Sequence, residues 1–362
     1  MKILKLGFHR KSYVKWKNFP KSFLPFSDAA SNQLPLVRLL QLSLFQVSVG
    51  IGVVLLVGTL NRIMIVELGV SAAIVAMMVA LPLLVAPFRA FVGFRSDTYK
   101  SVLGWRRVPF IWVGSLLQFG GLCIMPFALI LLSGDTHWPL WIGPLSAGLA
   151  FLLVGMGVQT VQTAGLALAT DLSPDLNKPR VVALMYTMLL LGMVISSLVI
   201  SFLLEPFSQV RLIQVIQGTA LICFLLNLVA LWKQEPRNVV LTSPKKQSPS
   251  FWFCWKKFSK TPNTKRFLLA LGVGTAAFSM QDVILEPYGG EILKLSVSET
   301  TLLTAYSTCG SIISFGFAAW FLKTNINSHR IAGLGAVLGI LAFSFVVLSE
   351  PMASIFLFTL GV

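Results

Sequence analysis

The sequence predicts an all-α integral membrane protein, and three observations lead to this class. Hydrophobic residues make up 56% of the 362 residues and charged residues only 12%, about half the charged share of a typical soluble domain. Apolar runs long enough to cross a bilayer recur along the chain. The 29 Lys and Arg residues are concentrated in alternate connections between these runs.

Nine apolar runs predict membrane-spanning helices, because a helix needs about 20 residues to cross the hydrocarbon core. The predicted spans are Leu39–Leu60, Ser71–Ala90, Val108–Leu132, Pro144–Thr170, Val181–Leu204, Leu212–Trp232, Phe267–Leu285, Thr300–Phe321 and Ile331–Leu348, with Met352–Val362 beginning a tenth. A helix as short as that tenth run crosses only about half of the core. We therefore expect the sequence to be part of a longer chain.

The distribution of basic residues predicts the orientation in the membrane. Of the 29 basic residues, only Arg62, Arg211 and Lys294 fall on one side. The positive-inside rule makes the other side cytoplasmic and places the N-terminus there. Because this topology accounts for the net charge of +16, nucleic acid is not an expected partner, whereas membrane lipids are.

The chain divides into four parts. They are a basic cytoplasmic N-terminal segment (1–38), a six-helix N-terminal half (39–232), a cytoplasmic linker (233–266) and a partial C-terminal half of three helices and a truncated tenth (267–362). The linker contains four prolines and nine basic residues. Six helices, a basic linker and further helices are the arrangement of major facilitator proteins. The predicted fold is therefore a major facilitator-type helical bundle with six N-terminal helices and an incomplete C-terminal half.

A loop motif follows the second predicted helix. Gly93 and Asp97 are followed by Gly104, Arg106 and Arg107, an order that resembles the loop motif of the facilitator superfamily. We expect Asp97 to cap a helix end or to pair with arginines, and so to hold one conformational state. The alternative is a simple basic loop.

The fourth predicted helix contains polar residues on one face. Gln159, Gln162 and Thr163 are spaced i, i+3 and i+4 and so lie side by side. Amides within the hydrocarbon core need hydrogen-bond partners. They either join two helices or line a polar ligand site, and the spacing alone does not decide between these alternatives.

The seventh predicted helix contains two acidic residues, Asp282 and Glu286, one turn apart. Acidic residues within a membrane are functional candidates by default. We expect Pro287–Gly290 to end the helix, which leaves Glu286 at a helix C-terminus in need of a cationic partner. Arg62 lies on the same side of the membrane, so it is predicted to pair with Glu286 or Asp282 across the two halves. The alternative is that these charged side chains do not pair with each other and instead contact lipid headgroups at the membrane surface.

Sequence signals for catalysis are missing. The sequence lacks the phosphate-binding G-x-x-x-x-G-K-[ST] loop, H-E-x-x-H and CxxC. His9, His137 and His329 all lie outside the apolar runs. We therefore expect no enzyme, no catalytic residues and no metal site.

Several stretches together resemble the bacteriochlorophyll-delivery (PucC-like) branch of the major facilitator superfamily. They are GTLNRIMIVELG (58–69), APFRA (86–90), GFRSD (93–97), GWRRVP (104–109), QTAGLALATD (162–171), RLIQVIQG (211–218), NLVALWKQE (227–235) and QDVILEPYGGE (281–291). The resemblance runs from about residue 35 to the end of the sequence.

This resemblance implies a photosynthetic light-harvesting complex assembly factor. Such a factor binds chlorophyll or bacteriochlorophyll transiently and delivers it to antenna polypeptides. Chlorophyll biosynthesis enzymes and photosystem assembly intermediates are further implied partners, and a thylakoid, another photosynthetic membrane or the plasma membrane is the implied location.

A groove between two helical halves suits a flat apolar macrocycle. We expect its polar groups to be Gln159, Gln162, Thr163, Gln281 and Asp282. Two other functions remain open. One is a proton-coupled transporter of a small solute that uses Asp282 or Glu286, and the other is a nonfunctional remnant.

Overall fold

The computed structural model describes residues 29–30, 34–101, 103–134, 137–139, 141–238, 242, 250–323, 328–349, 351–352 and 355–362. All regular elements in these ranges are helical, which confirms the predicted all-α class. Within the same ranges, nine helices are long and apolar enough to cross a membrane. The chain is thus a multi-pass membrane protein.

Twelve helices are numbered in chain order. They are α1 (Leu36–Glu67), α2 (Ala72–Val85), α3 (Phe88–Asp97), α4 (Val108–Leu132), α5 (Ile142–Asp171), α6 (Lys178–Leu203), α7 (Gln209–Leu231), α8 (Phe251–Ser259), α9 (Thr264–Glu291), α10 (Val297–Lys323), α11 (Ser328–Ser349) and α12 (Ile355–Gly361). Helices α2 and α3 together form one span, and α8 is a short helix in the predicted linker.

Helix α1 occupies the centre of the first six spans and packs against α5, α6 and α7. Its Leu39, Phe45 and Val49 are buried in the core. Small residues allow the close approach of these helices, as is common in membrane bundles. A Cβ atom at Gly157 of α5 would lie only 2.6 Å from the carbonyl oxygen of Gly114 in α4.

The second span is longer than predicted and is broken in the middle. It continues to Asp97 and is interrupted between α2 and α3 at Pro87. Proline has no N–H and so removes one helical hydrogen bond. The preceding turn tightens as a result, and the N–H of Ala86 donates to the oxygen of Leu83. The carbonyl of Pro82 therefore loses its usual partner four residues on.

Helix α1 also extends past its predicted end at Leu60. Two π-helical turns, Val54–Thr59 and Ile63–Glu67, carry the helix to Glu67. Turns of this kind are rare and often occur at functional sites.

The expectation that Pro287–Gly290 ends the seventh span is wrong, because α9 continues through Pro287 to Glu291. A proline removes one helical hydrogen bond, and a neighbouring side chain within the bundle can satisfy the freed carbonyl. Glu286 consequently lies within the helix and not at its C-terminus.

The boundaries of the predicted four-part division are only partly visible. Residues 1–28 and 31–33 of the predicted basic segment lie outside the described residues. Helix α7 ends at Leu231 and α9 begins at Thr264, close to the predicted ends of the linker. The division itself and the side on which each connection lies stay predictions.

Candidate functional site

The first six spans meet the later helices where the π-helical part of α1 contacts α9 and α10. The hydroxyl oxygens of Thr59 and Thr301 are 3.4 Å apart. Nδ2 of Asn61 donates to the carbonyl oxygen of Val283 over 2.6 Å. These polar side chains are almost completely buried, so each hydrogen bond satisfies a group that water does not reach.

The bond from Asn61 has a specific physical cause. In a regular helix the carbonyl of Val283 would accept from residue 287, but Pro287 has no N–H to donate. Asn61 supplies the missing donor from α1. The continuation of α9 through its proline therefore depends on a side chain of α1, which belongs to the first six spans.

Arg62 lies between the two π-helical turns and is 3% exposed. Its Nη1 pairs with Glu67 at 2.5 Å and its Nη2 donates to the oxygen of Leu295 at 3.0 Å. In an α-helix, residues five apart do not share a face, but π-helical spacing brings them together. A Cβ atom at Gly290 would lie 2.9 Å from Nε of Arg62, so α9 needs a glycine there. The predicted pairing of Arg62 with Glu286 or Asp282 stays a prediction.

Glu286 faces α1 and α10 from within α9. It is 1% exposed, and its Oε1 accepts a hydrogen bond from the hydroxyl of Thr304. Its Oε2 has no hydrogen-bond partner among the described residues. A small cavity of about 100 Å³ adjoins the carboxyl group. A Cβ atom at Gly58 would overlap Oε1, so the carboxyl group occupies the space that a larger residue would fill.

Asp282 lies one turn before Glu286 in α9. Its side chain is outside the part of the chain that the structure describes. Gln281 is half-buried in the same turn, and no described hydrogen bond joins it to the polar residues of α5.

Hydroxyl groups join α6 to α10 alongside this interface, a feature that the sequence analysis missed. Ser197 donates to the carbonyl oxygen of Thr301. Ser201 Oγ is 2.8 Å from Ser298 Oγ, which also donates to Oε2 of Glu205 over 3.3 Å. The four-residue spacing of Ser197 and Ser201 was the available signal, since such residues lie in one stripe along a helix.

The three polar residues predicted to share a face of α5 contact the broken second span. Nε2 of Gln159 donates to the carbonyl of Pro82 at 2.5 Å, which is the carbonyl freed by the helix break. Arg89 of α3 donates to Oε1 of Gln162 at 2.8 Å and to the hydroxyl of Thr163 at 3.0 Å. We call these four residues, Arg89, Gln159, Gln162 and Thr163, the amide cluster. Oε1 of Gln159 is buried and has no hydrogen-bond partner among the described residues.

The loop motif forms a charged cluster at the opposite end of the bundle from Arg62. Arg107 pairs with Asp97 and, through Nε at 3.0 Å, with Asp171 of α5. Nη2 of Arg106 is 2.7 Å from the same Asp171 carboxylate. Gly104 has a φ of 78°, in the left-handed region that favours glycine.

Glu235, which the sequence analysis missed as a functional residue, caps the start of α4, although it lies after α7 in the chain. Its carboxylate accepts the backbone N–H groups of Arg106 (2.8 Å), Arg107 (3.0 Å) and Val108 (2.8 Å). The first N–H groups of a helix have no partner within the helix. An anion at this position also interacts favourably with the helix dipole.

The segment that follows Glu235 is held against the same loop. The N–H of Asn238 donates to the oxygen of Gly104 at 2.9 Å. The hydroxyl of Thr242 donates to the oxygen of Ser101 at 2.7 Å, and the N–H of Ser101 donates back to the oxygen of Thr242 at 3.2 Å.

The chain is a helical membrane protein of the major facilitator type. Its bundle contains a span broken by proline, a charged loop at one end, and buried polar contacts between the first six spans and the later helices. The crystal structure of a D-xylose-proton symporter has a similar fold, with a TM-score of 0.56 over 89% of this chain and 77% of that chain. The sequence identity is 14%, so the likeness concerns the fold alone.

The chain belongs to the PucC family, because the family model for "PUCC protein" matches residues 59–362. Protein PucC of Rhodovulum sulfidophilum is 53% identical over 345 residues, which cover 94% of this chain and 76% of that protein. Protein PucC of Cereibacter sphaeroides is 52% identical over 94% of this chain and 74% of that protein. The bacteriochlorophyll synthase 44.5 kDa chain of Rhodobacter capsulatus is 26% identical over 84% of this chain and 70% of that protein.

Proposed function

We propose that this protein is an assembly factor for photosynthetic light-harvesting complexes, and that it binds chlorophyll or bacteriochlorophyll transiently and delivers it to antenna polypeptides. Its location would be a thylakoid or another photosynthetic membrane, with the N-terminus in the cytoplasm. Membership of the PucC family is the observation that carries the proposal. The name of the more distant relative from Rhodobacter capsulatus adds a link between that relative and bacteriochlorophyll.

The amide cluster supports a contact with pigment. Magnesium is a hard cation that takes oxygen ligands, and Oε1 of Gln159 is a buried oxygen without a described partner. In the proposal, Gln159 would hold the magnesium of a bound pigment through this oxygen, while its Nε2 would stay on the carbonyl of Pro82. Gln162 and Thr163 would hold Arg89 in place beside the bound macrocycle.

The proposal is tested in a phototrophic bacterium from which its own PucC-family gene has been deleted. The expected result is that this chain restores antenna absorbance, and that the protein purified in mild detergent carries pigment in about a one-to-one ratio. A free-pigment control with an unrelated membrane protein measures adventitious binding. A folded, colourless protein that leaves the antenna absorbance unchanged would contradict the proposal.

A matched pair of variants tests the role of Gln159. Gln159→Leu leaves the proline-freed carbonyl of Pro82 without a donor, and Asn61→Leu does the same to the carbonyl of Val283. Both variants therefore lose one similar hydrogen bond, but only the first removes the proposed magnesium ligand. We expect bound pigment to fall at least fivefold in Gln159→Leu and to be retained in Asn61→Leu. Equal losses in the two variants would assign Gln159 a structural role alone.

One observation favours the alternative of proton-coupled solute transport, namely the carboxyl group of Glu286 buried between the helices of the two halves. Such a carboxyl group can take up and release a proton as a transporter changes state. This alternative predicts solute flux in response to a proton gradient in proteoliposomes, and its loss in Glu286→Gln. Restoration of the antenna by Glu286→Gln would argue against it.

A further inference from the structure

A lateral groove opens between α6 and α7 at the end of the bundle that contains Arg62. Its floor is formed by Val47 and Ile51 of α1. Its walls are the stripe of α6 from Gly192 to Leu203 and the stripe of α7 from Arg211 to Ile222. The volume is about 640 Å³, within the range of pockets that hold small molecules.

The length of the groove matches one leaflet of a bilayer. The stripe from Gly192 to Leu203 extends about 16 Å at 1.5 Å per residue, and half of a 30 Å hydrocarbon core is about 15 Å. The groove is therefore long enough for the acyl chain of one leaflet.

The mouth of the groove contains one positively and one negatively charged side chain. Arg211 is fixed there because Nη1 donates to the backbone oxygens of Glu205 (2.8 Å) and Pro206 (3.0 Å). It lies in the first turn of α7, whose N-terminus favours an anion. The carboxylate of Glu205 lines the same mouth, and Gln214 adds an amide one turn deeper.

We infer that this groove is a binding site for a zwitterionic glycerophospholipid of the phosphatidylethanolamine type. The phosphate lies at Arg211 and the N-terminus of α7, and the ammonium group lies at Glu205. One acyl chain fills the groove down to Gly192. A phosphatidylglycerol headgroup offers the same phosphate to Arg211 but has no ammonium group to pair with Glu205, so the site selects the zwitterion. The inference is independent of the proposed pigment delivery.

Two glycines provide a matched test. A Cβ atom at Gly218, which lines the groove, meets open space, and so does one at Gly120 of α4, which does not line it. Gly218→Phe fills the groove, whereas Gly120→Phe adds the same bulk elsewhere. The full chain is delipidated, titrated with dioleoyl phosphatidylethanolamine or dioleoyl phosphatidylglycerol, and examined by native mass spectrometry. Each variant must first elute from size-exclusion chromatography as a single monodisperse peak, which shows that it is folded.

The expected result is one tightly held phosphatidylethanolamine per wild-type chain, and at least tenfold weaker binding in Gly218→Phe than in Gly120→Phe. We expect Glu205→Gln to abolish the preference over phosphatidylglycerol. If Gly218→Phe does not fold, Ile195→Trp in the groove wall is compared with Leu198→Trp on the exposed face of the same helix. Equal binding within each pair, no preference in the wild type, or pigment in place of the lipid would overturn the inference.

Discussion

Replacing Glu235 by alanine should destabilise the protein through the start of α4. The carboxylate accepts three backbone N–H groups, and Arg107 at the N-cap position makes no side-chain cap of its own. Loss of an N-cap costs about 0.5–2 kcal/mol, and loss of the charge near the helix dipole costs about 0.3–1 kcal/mol. Together these give about 2 kcal/mol for Glu235→Ala. Glu235→Gln, which keeps one acceptor oxygen, should lose about half as much.

A melting experiment in detergent measures this loss. With an unfolding entropy of about 2.1 cal/mol/K per residue over 362 residues, a loss of 2 kcal/mol lowers the melting temperature by about 3 °C. Asp175→Asn is the control, because Asp175 is exposed and its described ion pair, with its neighbour Lys178 at 2.6 Å, is a surface pair. Asp175 stands just before the first turn of α6, so the loss of its charge near the helix dipole is expected to lower the melting temperature of the control by about 1 °C or less. A melting temperature of Glu235→Ala within 1 °C of the wild type would refute the capping argument.

Three further variants test the contacts between helices. Gly58→Val should separate α1 from α9, because its side chain overlaps the carboxyl group of Glu286, and disulfide cross-linking between cysteines placed in these helices should fall severalfold. Gly155→Val should reduce the folded yield, since a Cβ atom there collides with the ring of Pro82; a normal yield would contradict this packing. Ser201→Ala should cost about 0.6–1 kcal/mol by removing buried hydrogen bonds to α10, measured as a small drop in melting temperature.

The positions of the spans were predictable because crossing a bilayer imposes a length and a composition on each helix. The ends of α1, α3 and α9 were not predictable in the same way. Proline usually marks a helix boundary in a sequence, yet α9 continues through Pro287 because Asn61 satisfies the freed carbonyl. These residues are distant in the chain, so no local pattern reveals the compensation.

The candidate site was predicted in part. The helical spacing placed Gln159, Gln162 and Thr163 on one face, and the structure gives the three residues contacts with a single neighbouring span. The ion pair between Arg62 and Glu67 could not be predicted from helical spacing. Glu67 is five residues away, and the pairing exists only because the backbone between them is π-helical.

The hydrogen bonds of Asn238 and Thr242 anchor the chain that leaves α7 to the loop before α4. At the start of α8, the ring of Phe251 lies 5.9 Å from that of Phe91 and 5.4 Å from that of Phe94, both in α3. Helix α8 is therefore also held by the first group of helices. The connection that remains between the two groups runs from Ser259 to Thr264, which at about 3.5 Å per residue spans at most about 18 Å. A wider separation of the two groups at this end would first have to detach α8 from α3.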